Sequence, residues 1–105
     1  MNYLVRFAPE AAEQLEELHA FVSKAATSGI ASDYVDAIVG YCEGLAEFPI
    51  RGTPREDIRP GLRTVAYKKR VIIAFNVDEH AKAIEILGVF YGGQDYESAF
   101  IDPDN

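Results

Sequence analysis

The sequence predicts a single α+β domain built from an N-terminal strand, a helical hairpin and a small antiparallel sheet that ends in a three-strand meander. Apolar residues recur every three or four positions through residues 9–45, as in amphipathic helices. They alternate with other residues through residues 63–91, as in strands. Glycine and proline concentrate between these two regions. The length of 105 residues fits one domain, 1–105, with 96–105 as a C-terminal tail.

The N-terminal region is predicted to form a strand and then a helix. Residues 3–7 alternate between the two faces of a strand. Pro9 suits the first turn of a helix, because that turn does not need the N–H that proline lacks. Apolar side chains three and four positions apart, among them Leu18 and Val22, then form one stripe. This stripe is predicted to face the core.

A second helix is predicted after a break at residues 27–29, and the pair forms a hairpin. Its apolar positions are Ile30, Tyr34, Ile38, Tyr41 or Cys42, and Leu45. The Phe48-Pro49 pair ends it, since a residue before proline disfavours helical geometry. Cys42 is the single cysteine, so it forms no internal disulfide and is predicted to be a small buried apolar residue.

The rest of the chain is predicted to form a loop over residues 51–61 and strands over 63–67, 69–77 and 82–91. Two helices cover only one face of so small a sheet. The other face is expected to carry some of Ile72, Ala74, Leu87, Val89 and Tyr91. It is predicted to be open to a partner, unless the tail folds back over it.

Positive charge is concentrated in one short region of an acidic chain. The net charge is −7, yet seven of the ten basic residues lie within residues 51–70. They are Arg51, Arg55, Arg59, Arg63, Lys68, Lys69 and Arg70. Such a region can steer an acidic or anionic partner. The alternative is that these side chains pair with the surplus carboxylates of the surface.

Several kinds of site are not expected from the sequence. His19 falls in a predicted helix and His80 in a predicted turn, so neither a Cys–His nucleophile pair nor a metal site is expected. Phosphate-loop and dinucleotide glycine motifs are absent. The apolar runs are too short to cross a bilayer, and no signal-peptide core is present. We therefore expect no cofactor, no membrane association and a cytoplasmic location.

The order of elements and four local motifs resemble the RelE/ParE superfamily of toxins from bacterial type II toxin–antitoxin systems, and its ParE branch most closely. The motifs are VRFAPEA at residues 5–11, FPIRG at 48–52, YKKRVIIAF at 67–75 and ILGVFYGGQD at 86–95. The resemblance spans residues 3–95 and implies a RelE/ParE-like fold. It also implies an antitoxin that holds the toxin inactive along the helical hairpin and the sheet.

The resemblance implies one of two activities. RelE-like members cleave messenger RNA on the ribosome, whereas ParE-like members inhibit DNA gyrase without being nucleases. A nuclease would use Arg63, Arg70 and Tyr91 as catalytic residues. The predicted closing strand offers a phenol with acids nearby, and no histidine, lysine or arginine follows Lys82. The predicted strand therefore offers few side chains that could transfer a proton or stabilise a charged phosphorane.

We predict a ParE-like toxin that is not an enzyme and inhibits DNA gyrase by protein–protein contact, with no direct nucleic-acid binding. The predicted target-binding residues are Arg59, Arg63, Lys68, Lys69, Arg70 and Tyr91. A ParD-like antitoxin is predicted to neutralise the toxin in a hetero-oligomer. Its predicted contacts are Leu18, Val22, Tyr34, Ile72, Ala74, Leu87 and Val89. The alternatives are a RelE-type ribosome-dependent endoribonuclease and an attenuated toxin-fold binding module.

Overall fold

The computed structural model describes residues 3–101 as a five-stranded sheet with two long helices on one face and a short helix on the other. The elements are β1 (Leu4–Phe7), α1 (Pro9–Ala25), α2 (Ser28–Gly44), β2 (Thr53–Pro54), β3 (Arg63–Tyr67), β4 (Val71–Asp78), β5 (Ala83–Tyr91) and α3 (Tyr96–Phe100). The predicted α+β architecture is confirmed. The last four residues of the predicted tail, 102–105, lie outside the described part of the chain.

The strand order across the sheet is β1-β5-β4-β3-β2. Strands β3, β4 and β5 pair antiparallel, as the three-strand meander predicts, and β2, which lies in the predicted loop, adds an antiparallel strand beside β3. Strand β1 is different, because it lies at the outer edge of β5 and runs parallel to it, with Leu4 opposite Ala83 and Phe7 opposite Ile86. The first and last strands of the domain are therefore neighbours. Within residues 3–101, no helix combines the length and apolar content that crossing a membrane requires.

The two long helices start where their local sequence favours a start. Pro9 occupies the first turn of α1. The Thr27 side chain caps α2 by accepting a hydrogen bond from the backbone N–H of Ile30 at 3.1 Å. The break between the helices is shorter than predicted, because Ser28 and Gly29 already belong to α2. A hydroxyl cap with one residue before it is enough to end one helix and start the next.

The main core lies between the helical hairpin and the facing side of β4 and β5. Its fully buried side chains include Leu18, Ile38, Cys42, Leu45, Val71, Ile73, Phe75, Ile84, Ile86 and Val89. Burying each large aliphatic or aromatic member contributes about 1.5–3 kcal/mol. Cys42 is confirmed as a buried residue. Burial, with Glu43 as a smaller influence, raises the pKa of its thiol to about 12, so the thiol stays protonated.

A β-bulge in β5 decides which side chains reach this core. Ala74 pairs with Gly88, but the next residue, Phe75, pairs with Ile86, so Leu87 is an extra residue on β5. Side chains that face the helices are therefore even-numbered before the bulge and odd-numbered after it. The prediction that Val89 could lie on the open face is wrong, because Val89 is fully buried against the helices. Tyr91 also packs on the helix side.

Helix α1 is joined directly to the bulge by Gln14. The Gln14 Oε1 accepts a hydrogen bond from the backbone N–H of Val89 at 2.7 Å, in a partly buried position. The neighbouring Gly88 lies beneath the ring of Phe90. A Cβ atom at Gly88 would stand 2.6 Å from Cε2 of Phe90 and 3.2 Å from Gln14 Oε1. Glycine at this position lets Phe90 lie across the face of the sheet that points away from α1 and α2.

Replacing Gly88 with alanine should destabilise the fold, because the new methyl group forces the Phe90 ring or the strand to move. We expect Gly88→Ala to lower the free energy of unfolding by about 1–3 kcal/mol in urea denaturation. Gly40 is the matched control, since a Cβ there meets no atom within 4 Å. As an interior position of α2, Gly40→Ala should stabilise by about 0.5–1 kcal/mol. Equal stability of Gly88→Ala and the wild type would contradict this account of the bulge.

Candidate functional site

A cleft lies between the helical hairpin and one end of the sheet, and we refer to it as the basic groove. It encloses about 840 Å³. One wall is apolar and comes from α1 and α2: Leu18, Phe21, Val22, Ile30 and Tyr34. The other consists of two turns and the end of β5: Lys68, Lys69, Arg70, Tyr91, Gly92 and Gly93. Phe21 and Ile30 are 60% and 54% exposed, so the chain itself leaves apolar surface in the groove uncovered.

Two tight turns lie side by side at the rim of the basic groove. In the first, which joins β3 to β4, the Arg70 N–H donates to the Tyr67 carbonyl at 3.2 Å. In the second, which follows β5, the Gln94 N–H donates to the Tyr91 carbonyl at 3.2 Å. Val71 and Tyr91 are paired residues on adjacent strands, and this pairing places the two turns at the same end of the sheet.

The cations of the groove rim face solvent. Lys68, Lys69 and Arg70 are all exposed. The two ion pairs formed within residues 3–101 both involve Arg55, so none of these three has a carboxylate partner in that part of the chain. The Lys68 Nζ lies 5.5 Å from the centre of the Tyr67 ring, a contact that leaves the charge exposed. In a chain of net charge −7, the rim is an open positive region.

The basic residues of the loop before β3 have a different role. The Arg55 guanidinium donates to Asp57 at 2.9 Å, to Glu97 at 2.8 Å and to the hydroxyl of Tyr96. Arg59 lies over the ring of Phe100 at 5.9 Å. These cations therefore attach the loop to the tail. For Arg55, the alternative of pairing with carboxylates is the correct one, and the basic region of 51–70 is not one continuous surface.

The tail covers the face of the sheet that points away from α1 and α2. The side chains of this second cluster are Ile58, Leu62, Ile72, Ala74, Leu87, Phe90, Tyr96 and Phe100. The rings of Tyr96 and Phe100 lie 6.1 and 5.9 Å from that of Phe90. Asp95 caps α3, accepting from the Ser98 N–H at 3.3 Å and the Ser98 hydroxyl at 2.6 Å. The predicted open face is therefore occupied by the chain itself.

The structure brings together parts of two predicted sets of residues. Lys68, Lys69, Arg70 and Tyr91 were predicted to bind the target, and Leu18, Val22 and Tyr34 to bind the antitoxin; all seven line the basic groove. Ile72 and Leu87 lie apart, beneath the tail. Ala74 and Val89 are fully buried, so in this conformation they offer no surface to a partner.

Sequence reasoning missed four residues that line the groove: Phe21, Ile30, Gly92 and Gly93. Ile30 belongs to the predicted apolar stripe of α2 but lies in its first turn, beyond the sheet. Phe21 lies directly before Val22 of the predicted apolar stripe of α1, and a large aromatic residue at the edge of a stripe is the available signal. The ring of Phe21 lies 5.8 Å from that of Tyr91, so the two walls of the groove meet at this aromatic contact.

Arg63 and Arg59 lie outside the basic groove. The Arg63 Nε donates to the Arg51 carbonyl at 2.9 Å, and Arg63 pairs with Phe75 across β3 and β4. Arg63 lies four positions before Tyr67, the groove end of β3, which corresponds to about 13 Å along a strand. The three candidate nuclease residues are thus not assembled, since only Arg70 and Tyr91 share the groove.

Comparison with known proteins gives consistent matches. A family model described as ParE toxin of type II toxin-antitoxin system, parDE, matches residues 5–96. Among solved structures, the chromosomal ParDE toxin–antitoxin system from P. aeruginosa has a TM-score of 0.73 at 22% identity, covering 85% of this chain and 95% of that chain. No curated protein sequence matches.

Two further solved structures share the fold. The toxin–antitoxin complex RelBE2 from Mycobacterium tuberculosis has a TM-score of 0.64 at 20% identity, covering 90% of this chain and 95% of that chain. An arginine double mutant of E. coli toxin RelE in the free state has a TM-score of 0.68 at 12% identity, covering 95% of this chain and 94% of that chain.

Removing the Arg55 side chain should loosen the tail, because one guanidinium joins the loop to both Tyr96 and Glu97. We expect Arg55→Ala to increase hydrogen exchange of the α3 amides several-fold while the β4 and β5 amides stay protected. Arg51→Ala is the matched control from the same loop, since Arg51 lies over Tyr41 at 5.8 Å. Unchanged exchange of α3 in Arg55→Ala would show that the apolar contacts alone hold the tail.

Acid should release the tail as well. Hydrogen bonds from Arg55 lower the pKa of Asp57, and those from Ser98 lower the pKa of Asp95. A carboxyl group whose pKa is lower in the folded protein than in the unfolded chain stabilises the folded protein at pH values above the ordinary carboxyl pKa. This stabilisation is lost as the pH falls through the lowered pKa. We expect hydrogen exchange of the α3 amides, corrected for its intrinsic pH dependence, to become faster as the pH falls through these lowered pKa values. Asp95→Asn keeps an oxygen acceptor without the titration and should show a weaker acid response.

Proposed function

The chain belongs to the ParE toxin family of type II toxin–antitoxin systems, and we propose that it acts by binding DNA gyrase through the basic groove, without being an enzyme. The observation that carries this proposal is the combination, in one cleft, of the exposed apolar side chains of Phe21 and Ile30 with cations that have no ion-pair partner within residues 3–101. Aromatic residues and arginine are the groups that anchor protein interfaces, and a positive rim favours an acidic partner. A cytoplasmic location accompanies this proposal, since gyrase acts on chromosomal DNA.

The chemistry of the groove supports binding over catalysis. Its lining residues supply two lysines, one arginine and the phenols of Tyr34 and Tyr91, but no carboxylate and no imidazole. RNA cleavage by 2′-hydroxyl attack needs a base and an acid in reach of the phosphate. Arg63, which the nuclease alternative requires, is held at the other end of β3 by the Arg51 carbonyl. A surface that only binds a protein partner needs neither an acid and a base nor Arg63 beside them.

A ParD-like antitoxin is proposed to neutralise the toxin by occupying the same groove. The apolar wall predicted to bind the antitoxin and the positive rim predicted to bind the target face each other across one cleft. An antitoxin segment that fills the cleft therefore excludes the target directly, and the two proteins form a hetero-oligomer. The solved P. aeruginosa relative is itself a ParDE system, which supports a ParD-like partner.

The proposed target is tested with purified gyrase in supercoiling and cleavage-complex assays. We expect the protein to inhibit supercoiling, and Phe21→Ala to raise the concentration for half-inhibition at least about tenfold, as for a buried aromatic anchor. Phe48→Ala is the matched control, because Phe48 is 67% exposed and does not line the groove. Absence of any effect of excess wild-type protein on gyrase would rule out this target.

The hydroxyl of Tyr91 separates inhibition from nuclease action. Tyr91→Phe keeps the ring that contacts Phe21 and should therefore keep growth arrest and gyrase inhibition. If the protein instead cleaves messenger RNA, induction produces new transcript ends, and loss of the hydroxyl lowers their formation. Normal growth on expression of the wild type without antitoxin would indicate an attenuated binding module.

A further inference from the structure

The turn between β3 and β4 has an unusual backbone for its sequence. Lys68 and Lys69 have φ angles of +51° and +62°, a left-handed conformation that side chains other than glycine and asparagine adopt reluctantly. Two consecutive positive φ angles are the mark of a turn that favours Asn-Gly or Gly-Gly. Two lysines here therefore lower the stability of the folded chain relative to those alternatives.

The neighbouring turn shows that this chain also builds the same geometry from glycine. Gly92 and Gly93 have φ angles of +62° and +79°, and they form the same kind of turn at the same end of the sheet. The geometry of the first turn is thus available without lysine. What distinguishes the first turn is therefore the side chains of Lys68 and Lys69.

Those side chains have no role in the folded chain that accounts for both. Lys68 lies near the ring of Tyr67, but neither lysine has a carboxylate partner among residues 3–101. Both line the groove beside Arg70, opposite the apolar wall that contains Phe21. In a chain with 17 acidic residues, three adjacent cations that have no ion-pair partner among residues 3–101 face the space that a partner would fill.

We propose that the Lys68–Lys69 turn is a specificity determinant that recognises carboxylates on the antitoxin segment occupying the basic groove, and that its strained backbone is retained for this contact. The inference rests on the proposed function. The strain fixes both ammonium groups at the rim, while the apolar wall receives the apolar side chains of the same segment. The turn thus lowers the stability of the folded chain and raises its affinity for the antitoxin segment.

An acidic protein segment suits this site better than a nucleic acid. Binding a phosphate backbone relies on many cations along its path, because affinity grows with the number of phosphates neutralised. Here three cations occupy one rim, the opposite wall is apolar, and the chain as a whole is negative. A segment that alternates carboxylates with apolar side chains matches both walls.

The test uses the purified full chain and the purified product of the adjacent antitoxin gene, with affinity measured by calorimetry at several salt concentrations. We expect Lys68→Asn/Lys69→Gly to raise the Tm by roughly 5 °C or more, because the strain is removed. We expect the same variant to bind at least about tenfold more weakly, with a smaller dependence on salt. Lys68→Arg/Lys69→Arg keeps both charges and should bind like the wild type.

Lys82 supplies the matched control. It is the third residue with a positive φ other than glycine within residues 3–101, at +54°, and it lies outside the groove. Lys82→Asn should raise the Tm and leave antitoxin affinity unchanged. If Lys82→Asn weakened antitoxin binding as much as the turn variant does, the loss of affinity would come from net charge alone, and the proposal would be overturned.

The remaining outcomes are equally decisive. A turn variant that binds as tightly as the wild type, or that gains no stability, would overturn this inference and leave the proposed function standing. Failure of the wild type to bind the antitoxin would overturn this inference and the proposed neutralisation, whereas the proposed action on gyrase is tested separately by the supercoiling assay. Tight binding of a labelled RNA oligonucleotide by the wild type, lost in the turn variant, would assign the lysines to nucleic acid and also overturn the proposal.

Discussion

The extra residue in β5 is the constraint on which the arrangement of this molecule depends. Leu87 shifts the alternation of the strand by one position, so that Ile86 and Val89 both face the helices while Phe90 faces the tail. The bulge is held from above by the Gln14 side chain, which satisfies the Val89 N–H. Because a buried N–H without a partner is costly, this hydrogen bond also fixes the position of α1 over the sheet. Two apolar clusters on opposite faces follow from one inserted residue.

The same bulge also shapes the basic groove. Tyr91 lies beyond it and faces the helices, where its ring meets Phe21. Without the inserted residue, the Tyr91 side chain would point toward α3, and it would no longer line the basic groove. Phe90, which points the other way, receives the tail instead. At one end of β5, the Tyr91 side chain thereby lines the basic groove, while the Phe90 side chain packs against the tail.

The long helices and most strands were predictable because each is encoded locally. The 3.6-residue period gives α1 and α2, alternation gives the three strands of the meander, and Pro9 marks the start of α1. The end of α2 was predicted at Phe48-Pro49 but lies at Gly44, and neither β2 in the predicted loop nor α3 in the predicted tail was expected. The site was only partly predictable, because it depends on contacts between distant segments. Nothing near Arg55 in the sequence shows that it binds Glu97, and the bulge has only Gly88 as a local sign. The sequence therefore predicted one continuous basic surface. In the structure, packing divides it into the rim of the basic groove and the loop arginines that contact the tail.

The parallel pairing of β1 with β5 has a consequence for timing. These strands lie about 80 residues apart in the chain, so the sheet cannot close until β5 has left the ribosome. Contacts of such long range also slow folding. The basic groove needs residues from α1 and from the end of β5, and it forms only in that last step. A nascent or truncated chain that lacks β5 therefore has no complete basic groove.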